Sequence, residues 1–170
     1  PPRRGLAAQH RPPRGARLLG VSSDGRRLPE IRKAIESGRA KAVLAFHEDL
    51  ADAGVAHDAL LKIPSLITIA LLPNATTAAA KFVLPGAGFA EKRGSMINVG
   101  GRIQRLNRAA PPPASARDDW EILNELLASL GATRYTDVAA VFAAMAQRHA
   151  PLRGLTLSRI GDLGQPIEAA

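Results

Sequence analysis

A chain of 170 residues with 46% apolar side chains can bury the core of one domain, and with only 4% aromatic residues that core falls to Ala, Leu, Val and Ile. The absence of cysteine excludes disulfides and thiolate-bound metal or iron–sulfur centres within these residues, and it fits a reducing compartment. The net charge of +8 belongs to one end: residues 1–40 carry ten Lys plus Arg against three Asp plus Glu, whereas residues 41–170 carry thirteen against twelve.

Residues 1–20 combine Pro, Gly and Arg with hardly any large apolar side chain, so they form an extended or disordered lead in this reading. Clustered arginine attracts phosphate backbones and anionic surfaces, yet no aromatic platform for base stacking precedes Phe46. The chain starts at Pro1 without a methionine, from which truncation of a larger protein is expected. No apolar run is long enough to span a bilayer, and no signal-peptide pattern opens the chain.

Order is expected from Leu28, where Pro29 suits a first helical turn, Leu28, Ile31 and Ile35 share a face, and Gly38 supplies the stop. Lys41 to Phe46 reads as a strand. His47, Glu48 and Asp49 follow it directly. Adjacent side chains diverge on extended backbone and no HExxH or CxxC cluster completes a site, so no metal is expected. Loops after the carboxyl ends of parallel strands do, however, form the binding crevice of open α/β sheets. Leu50 to Leu61 reads as a helix weakened by Gly54, and Leu66 to Leu72 as a parallel strand buried on both faces. Asn74 or Thr76 then caps a short alanine helix that leads into a buried strand, Phe82 to Leu84, closed by Pro85. Strands alternating with helices give an α/β fold: a Rossmann-like, mostly parallel sheet fragment.

Lys81 to Gln104 is glycine-rich, with Glu91, Lys92, Asn98, Arg102 and Gln104 set among the glycines. Such spacing suits a backbone that turns repeatedly and approaches something closely. Pro111, Pro112 and Pro113 make a stiff bridge, and Asp118 and Asp119 favour the start of a helix. That helix carries Trp120, Leu123, Leu127 and Leu130 on one face and ends at Gly131, with Trp120 as a packing anchor. A second helix starts near Thr136, buries Val138, Val141, Phe142 and Met145, and stops before Pro151, after which a loose tail closes onto the domain. The domain reading is a basic lead at 1–20, an α/β region at 21–110, and a Pro-rich bridge with two C-terminal helices at 111–170. No catalytic residue is expected: there is no GxSxG elbow or Walker loop, and Glu91 with Lys92 reads as a surface or interface ion pair.

The ordered run V-L-P-G-A-x-F-A-E-K-x-G-[ST]-x-x-N-x-x-G-R-x-Q, continued by P-P-P-A-S-A-R-D-D-W-E-I-L, resembles the molybdopterin-oxidoreductase superfamily. Within it, the run resembles the large iron–sulfur subunit of bacterial NADH:quinone oxidoreductase, respiratory complex I. The resemblance covers about Ile31 to Ile167. It implies the C-terminal part of a longer subunit, supporting electron transfer from NADH to quinone in the peripheral arm. Other peripheral-arm subunits and the rest of its own subunit would be its partners. It would lie on the cytoplasmic side of the inner membrane, with no membrane span of its own and no nucleic acid bound. Carried over residue by residue, a pterin-site motif would comprise Glu48, Asp49, Glu91, Lys92, Gly94, Ser95, Asn98, Gly101, Arg102 and Gln104. This chain departs from the family's pattern at His47 (for Gly), Lys81 (for Asp) and Gly100 (for Glu), with Ser95 a mild change from Thr. With two charged positions lost, the motif is expected to be vestigial: no cofactor in this segment, iron–sulfur clusters elsewhere in the parent subunit, and molybdopterin not bound. The alternatives are a segment of a molybdopterin-dependent enzyme of formate dehydrogenase or nitrate reductase type, and an anion- or nucleic-acid-binding module using the Arg-rich lead.

Overall fold

The computed structural model describes residues 28–167, which divide into two compact units, 28–86 and 87–167. The expectations for residues 1–20 lie outside the described residues. The expected α/β fold with a parallel sheet is present.

In the first unit, α1 (Leu28–Glu36) buries Ala34 and Ile35 and ends at Gly38, whose φ of 69° is one that glycine adopts without steric cost. Three strands follow: β1 (Ala42–Phe46), β2 (Ser65–Ala70) and β3 (Phe82–Pro85). They pair in the order β1-β2-β3, all parallel, with Leu44 opposite Ile67 and Ile67 opposite Phe82. The connections carry the short helices α2 (His57–Leu61) and α3 (Ala75–Ala79). Side chains from both connections and from α1 share one core with the sheet. Ile35, Ala45, Leu50, Val55, Leu60, Ile63 and Leu66 are buried together, with Val43, Ala79 and Ala80 packed against them.

Three expectations change here. The helix read over Leu50 to Leu61 survives only as α2, because Gly54 turns at φ 89° and the Leu50 amide donates to Thr76 Oγ1 instead of starting a helical ladder. The central strand stops at Ala70, leaving Leu71 and Leu72 exposed. The strand expected to be buried at Phe82 to Leu84 is an edge strand, with Phe82 60% exposed.

In the second unit, β4 (Gly94–Ile97), β5 (Arg102–Leu106) and β6 (Gln165–Pro166) form an antiparallel sheet. Two helices, α4 (Asp119–Ser129) and α5 (Val138–Arg148), and a 3-10 turn (Ala150–Leu152) complete it. Ile103, Phe142, Ala146, Leu152, Ile160 and Ile167 form the core. The segment beyond Pro151 is therefore integral rather than loose. The Ile167 amide donates to the Gly101 carbonyl, and Gly164, at φ 72°, lies so close that a Cβ there would overlap the Ile103 carbonyl. Helix α4 also turns differently from the reading: Ile122 and Asn124 face inward, while Leu127 and Leu130 are exposed. Helix α5 starts as expected, with Asp137 Oδ1 accepting from the Ala140 amide at 2.8 Å.

Candidate functional site

The expected site residues fall in both units, and each group has its own geometry. At the carboxyl end of β1, His47 adopts φ 54°, in the left-handed region where glycine is favoured. The backbone shape that a glycine would supply is thus kept, held by the His47 amide donating to the Ile69 carbonyl at 2.8 Å. Glu48 is exposed. Asp49 is engaged inside the fold: Oδ1 accepts from Thr76 Oγ1 at 2.8 Å and from the Ala51 amide at 3.0 Å, and Oδ2 accepts from the Ala75 amide at 3.2 Å. Burial pushes the Asp49 carboxyl up, but the bonds from the Thr76 hydroxyl and from the Ala51, Ala75 and Thr76 amides together outweigh it and hold the group below its ordinary value. Asp49 therefore ties the β1 loop to the first turn of α3. Asn74 caps that same turn, accepting from the Thr77 amide at 2.8 Å while the Thr77 hydroxyl reaches back to the Asn74 amide. Thr76, considered in the sequence only as a cap, is fully buried and bridges Asp49 to the Leu50 amide.

The glycine-rich stretch in the second unit is likewise cross-braced. Glu91 Oε2 accepts from the Gly88 amide at 2.7 Å and closes the first turn. Lys92 Nζ pairs with Asp119 Oδ2 at 2.5 Å, both largely buried, so Lys92 reaches across 27 residues rather than pairing with Glu91. Gly94 opens β4 at φ 155°, and Ser95 follows, half-buried opposite Arg105. Asn98 organises the β4–β5 turn. Its Oδ1 accepts from the Gly100 amide at 2.9 Å and the Arg102 amide at 3.1 Å, and its Nδ2 donates to Gln104 Oε1 at 3.0 Å. Gly101 is buried at φ 78°, and Arg102 Nε donates to the Leu163 carbonyl at 2.7 Å.

One residue of this framework has a role that the sequence does not disclose. Asp118, expected at a helix start, makes no side-chain cap bond. It is fully buried and accepts from Arg108 Nη2 at 2.6 Å, from the Arg93 amide at 3.3 Å and from Trp120 Nε1 at 3.3 Å. The run R-D-D-W, two adjacent acids before a tryptophan, carries a signal of this cluster but not the identity of its partners. Lys92, Ser95, Met96, Trp120, Phe142 and Met145 border an open cleft of about 310 Å³. A larger cleft of about 480 Å³, between Trp120, Asn124 and Tyr135, holds none of the expected site residues. Among the described residues no group of three or more His, Asp or Glu could hold a metal ion, and no helix is long and apolar enough to cross a membrane.

Residues 13–129 match the model of the family described as molybdopterin oxidoreductase. The chain is 30% identical over 136 residues to the F420-dependent formate dehydrogenase 1 subunit alpha of Methanococcus maripaludis, covering 77% of this chain and 20% of that one. It is 40% identical over 63 residues to the mitochondrial NADH-ubiquinone oxidoreductase 78 kDa subunit of Candida albicans, covering 36% of this chain and 9% of that one. The fold is shared with acetylene hydratase from Pelobacter acetylenicus, with a TM-score of 0.65 at 14% identity over 83% of this chain and 21% of that structure. The chain thus spans a fifth or less of the length of these curated relatives.

The expectation that molybdopterin does not bind is corrected by the family match. That expectation rests on the loss of two acids, and the structure explains why the premise is weak. Lys81 and Gly100 both stand at exposed positions, and the Asn98-centred bracing of the turn is complete without an acid at residue 100. The loop after β1 keeps the left-handed backbone at its first residue and presents the Glu48 carboxylate outward, an acceptor that fits a group rich in N–H donors such as a pterin or guanine.

Proposed function

The chain belongs to the molybdopterin oxidoreductase family, and from that premise we propose that it is the C-terminal structural segment of the large subunit of an NADH:quinone-type oxidoreductase. In this reading residues 21–110 are the α/β part and residues 111–170 the bridge and C-terminal helices. The segment supports a peripheral arm in which electrons pass from NADH to quinone on the cytoplasmic face of the membrane. Its partners are the neighbouring arm subunits and the remainder of its own subunit. The observation that carries the reading is the engagement of the motif's polar side chains within the fold: Lys92 with Asp119, Asn98 with Gln104 and its own turn, and Arg102 with the Leu163 carbonyl. Groups bonded in this way brace a fold. The similarity to the 78 kDa subunit also supports it.

A second reading rests on Glu48. The carboxylate at the end of β1 would hold the cofactor of a molybdopterin-dependent oxidoreductase of formate dehydrogenase or nitrate reductase type, accepting hydrogen bonds from its ring N–H groups. Bound there, the cofactor would supply the redox chemistry and the chain its orientation. Purifying the full-length parent anaerobically and assaying it for iron, molybdenum, pterin and activity separates the two. NADH-dependent quinone reduction by an iron-containing complex is the expected result. Formate- or nitrate-linked turnover with stoichiometric molybdenum and pterin, without quinone reduction, would overturn the first reading in favour of the second.

A further inference from the structure

Helix α4 presents Trp120, Glu121, Asn124 and Glu125 along one side, because residues four apart on a helix are neighbours on its surface. Past its end the chain turns back at Gly131, and residues 134–136 run beside that side. Asn124 holds the two walls together. Only 7% exposed, it donates from Nδ2 to the Tyr135 carbonyl at 2.9 Å and accepts at Oδ1 from the Tyr135 amide at 2.8 Å. Between the walls lies the open cleft of about 480 Å³, a size within the range of sites that take small organic molecules.

The charged groups of this cleft are unequally committed. Arg117 donates from Nη1 and Nη2 to the two carboxylate oxygens of Glu125, at 3.1 and 2.9 Å, a fork-to-fork pairing that engages both partners. That bond, more than the charges of Arg117 and Arg134, holds the Glu125 carboxyl below its ordinary value. The Glu121 carboxylate and the Arg134 guanidinium, by contrast, form no side-chain hydrogen bond or ion pair with another described residue. The cleft thus offers one uncommitted acid and one uncommitted base. Two half-buried aromatic rings stand beside them: Tyr135, and Trp120, whose Nε1 is already taken by Asp118 at 3.3 Å.

We propose that this cleft binds a free amino acid with an aromatic side chain, its ammonium group on Glu121, its carboxylate on Arg134 and its ring against Trp120 and Tyr135. A ligand of single charge would shield one of the two groups from water without giving it a partner, whereas a zwitterion pairs both. The guanidinium fork suits a carboxylate, and aromatic faces suit both a ring and a nearby ammonium group. The site lies wholly in the second unit and involves no residue of the loop after β1, so it stands apart from either cofactor reading.

Trp120 is the single tryptophan of the chain, so its emission follows this wall without background from another indole. Titrating the 170-residue chain with L-phenylalanine is expected to give a saturable change in that emission. Phenethylamine and 3-phenylpropanoate, which keep the ring and one charge each, are expected to bind at least about tenfold more weakly, as is L-phenylalanine to Glu121→Gln and to Arg134→Gln, since one charge-assisted bond is worth about that factor or more. Arg153→Gln, exposed and outside the cleft, should keep the original affinity. No saturable change up to the solubility of L-phenylalanine would overturn the proposal. Equal affinity for phenethylamine would overturn it in favour of a cation held by the aromatic rings and Glu121, and equal affinity for 3-phenylpropanoate in favour of an anion held by Arg134. Unchanged affinity in both cleft variants would overturn the assignment of the two charges. The ligand series needs only the unaltered chain, so it decides the matter even where circular dichroism shows a variant to be unfolded.

Discussion

Asp49 and Glu48 are neighbours of the same chemical type with opposite circumstances. Asp49 accepts from the Thr76 hydroxyl and three amides, whereas Glu48 is exposed. Replacing Asp49 by Ala is expected to cost about 1–3 kcal/mol, because a buried hydroxyl and the first amides of α3 lose their acceptor; Glu48→Gln is expected to stay within about 0.5 kcal/mol. Urea midpoints for the two variants check this. Because the Asp49 carboxyl is held below its ordinary value of 3.8, its stabilising effect is complete above that value and fades as pH falls through the lowered one, so Asp49→Ala should flatten the acid limb of the stability profile. If the two variants lost stability equally, Asp49 would not be the tie described. The sequence could show that an acid follows a strand, but not that Thr76, 27 residues on, turns towards it. The same holds for Asp118, whose partner Arg108 lies on the wrong side of the helix start for a cap.

Elements were legible where the signal was local. The apolar runs of β1 and β2, the Asn74 cap and the Gly131 stop, at φ 83°, all depend on residues adjacent in the chain. The helix read over Leu50 to Leu61 failed because a side chain from another element took its first amide. The β4–β5 hairpin was visible only as a glycine-rich stretch, since its register is set by Asn98 and by β6, which lies far along the chain. Gly164 is the tightest point of that closure. Gly164→Ala combines a positive φ with overlap onto backbone, so it is expected to destabilise the second unit by at least about 2 kcal/mol, whereas Gly161→Ala, also at positive φ but in open space, should cost less. Equal costs, read from thermal melts of the two variants, would remove the close approach as the cause.

At the scale of the molecule, two cores form from different stretches of chain: one from residues between Ile35 and Ala80, the other from residues between Ile97 and Ile167. Their separation was not visible in the sequence reading, which placed a single α/β region at 21–110. Each unit is expected to melt by its own transition. Leu66→Ala should lower one by about 2–5 kcal/mol and Ile103→Ala the other, each leaving its counterpart in place. Calorimetry with hydrogen exchange resolved by peptide would test this, and a single transition moved by both variants would contradict it.

The pairing of β6 with β5 also bears on the order in which the molecule comes into being on the ribosome. Every side chain of the first core has been made by Ala80, well before the chain is complete, so that unit can close while synthesis continues. Ile103 must instead await Ile167, and at roughly 5–20 residues per second that interval is on the order of several seconds. For that time β5 stands with one edge open and its core incomplete. The second unit is thus the one that depends on shielding during translation.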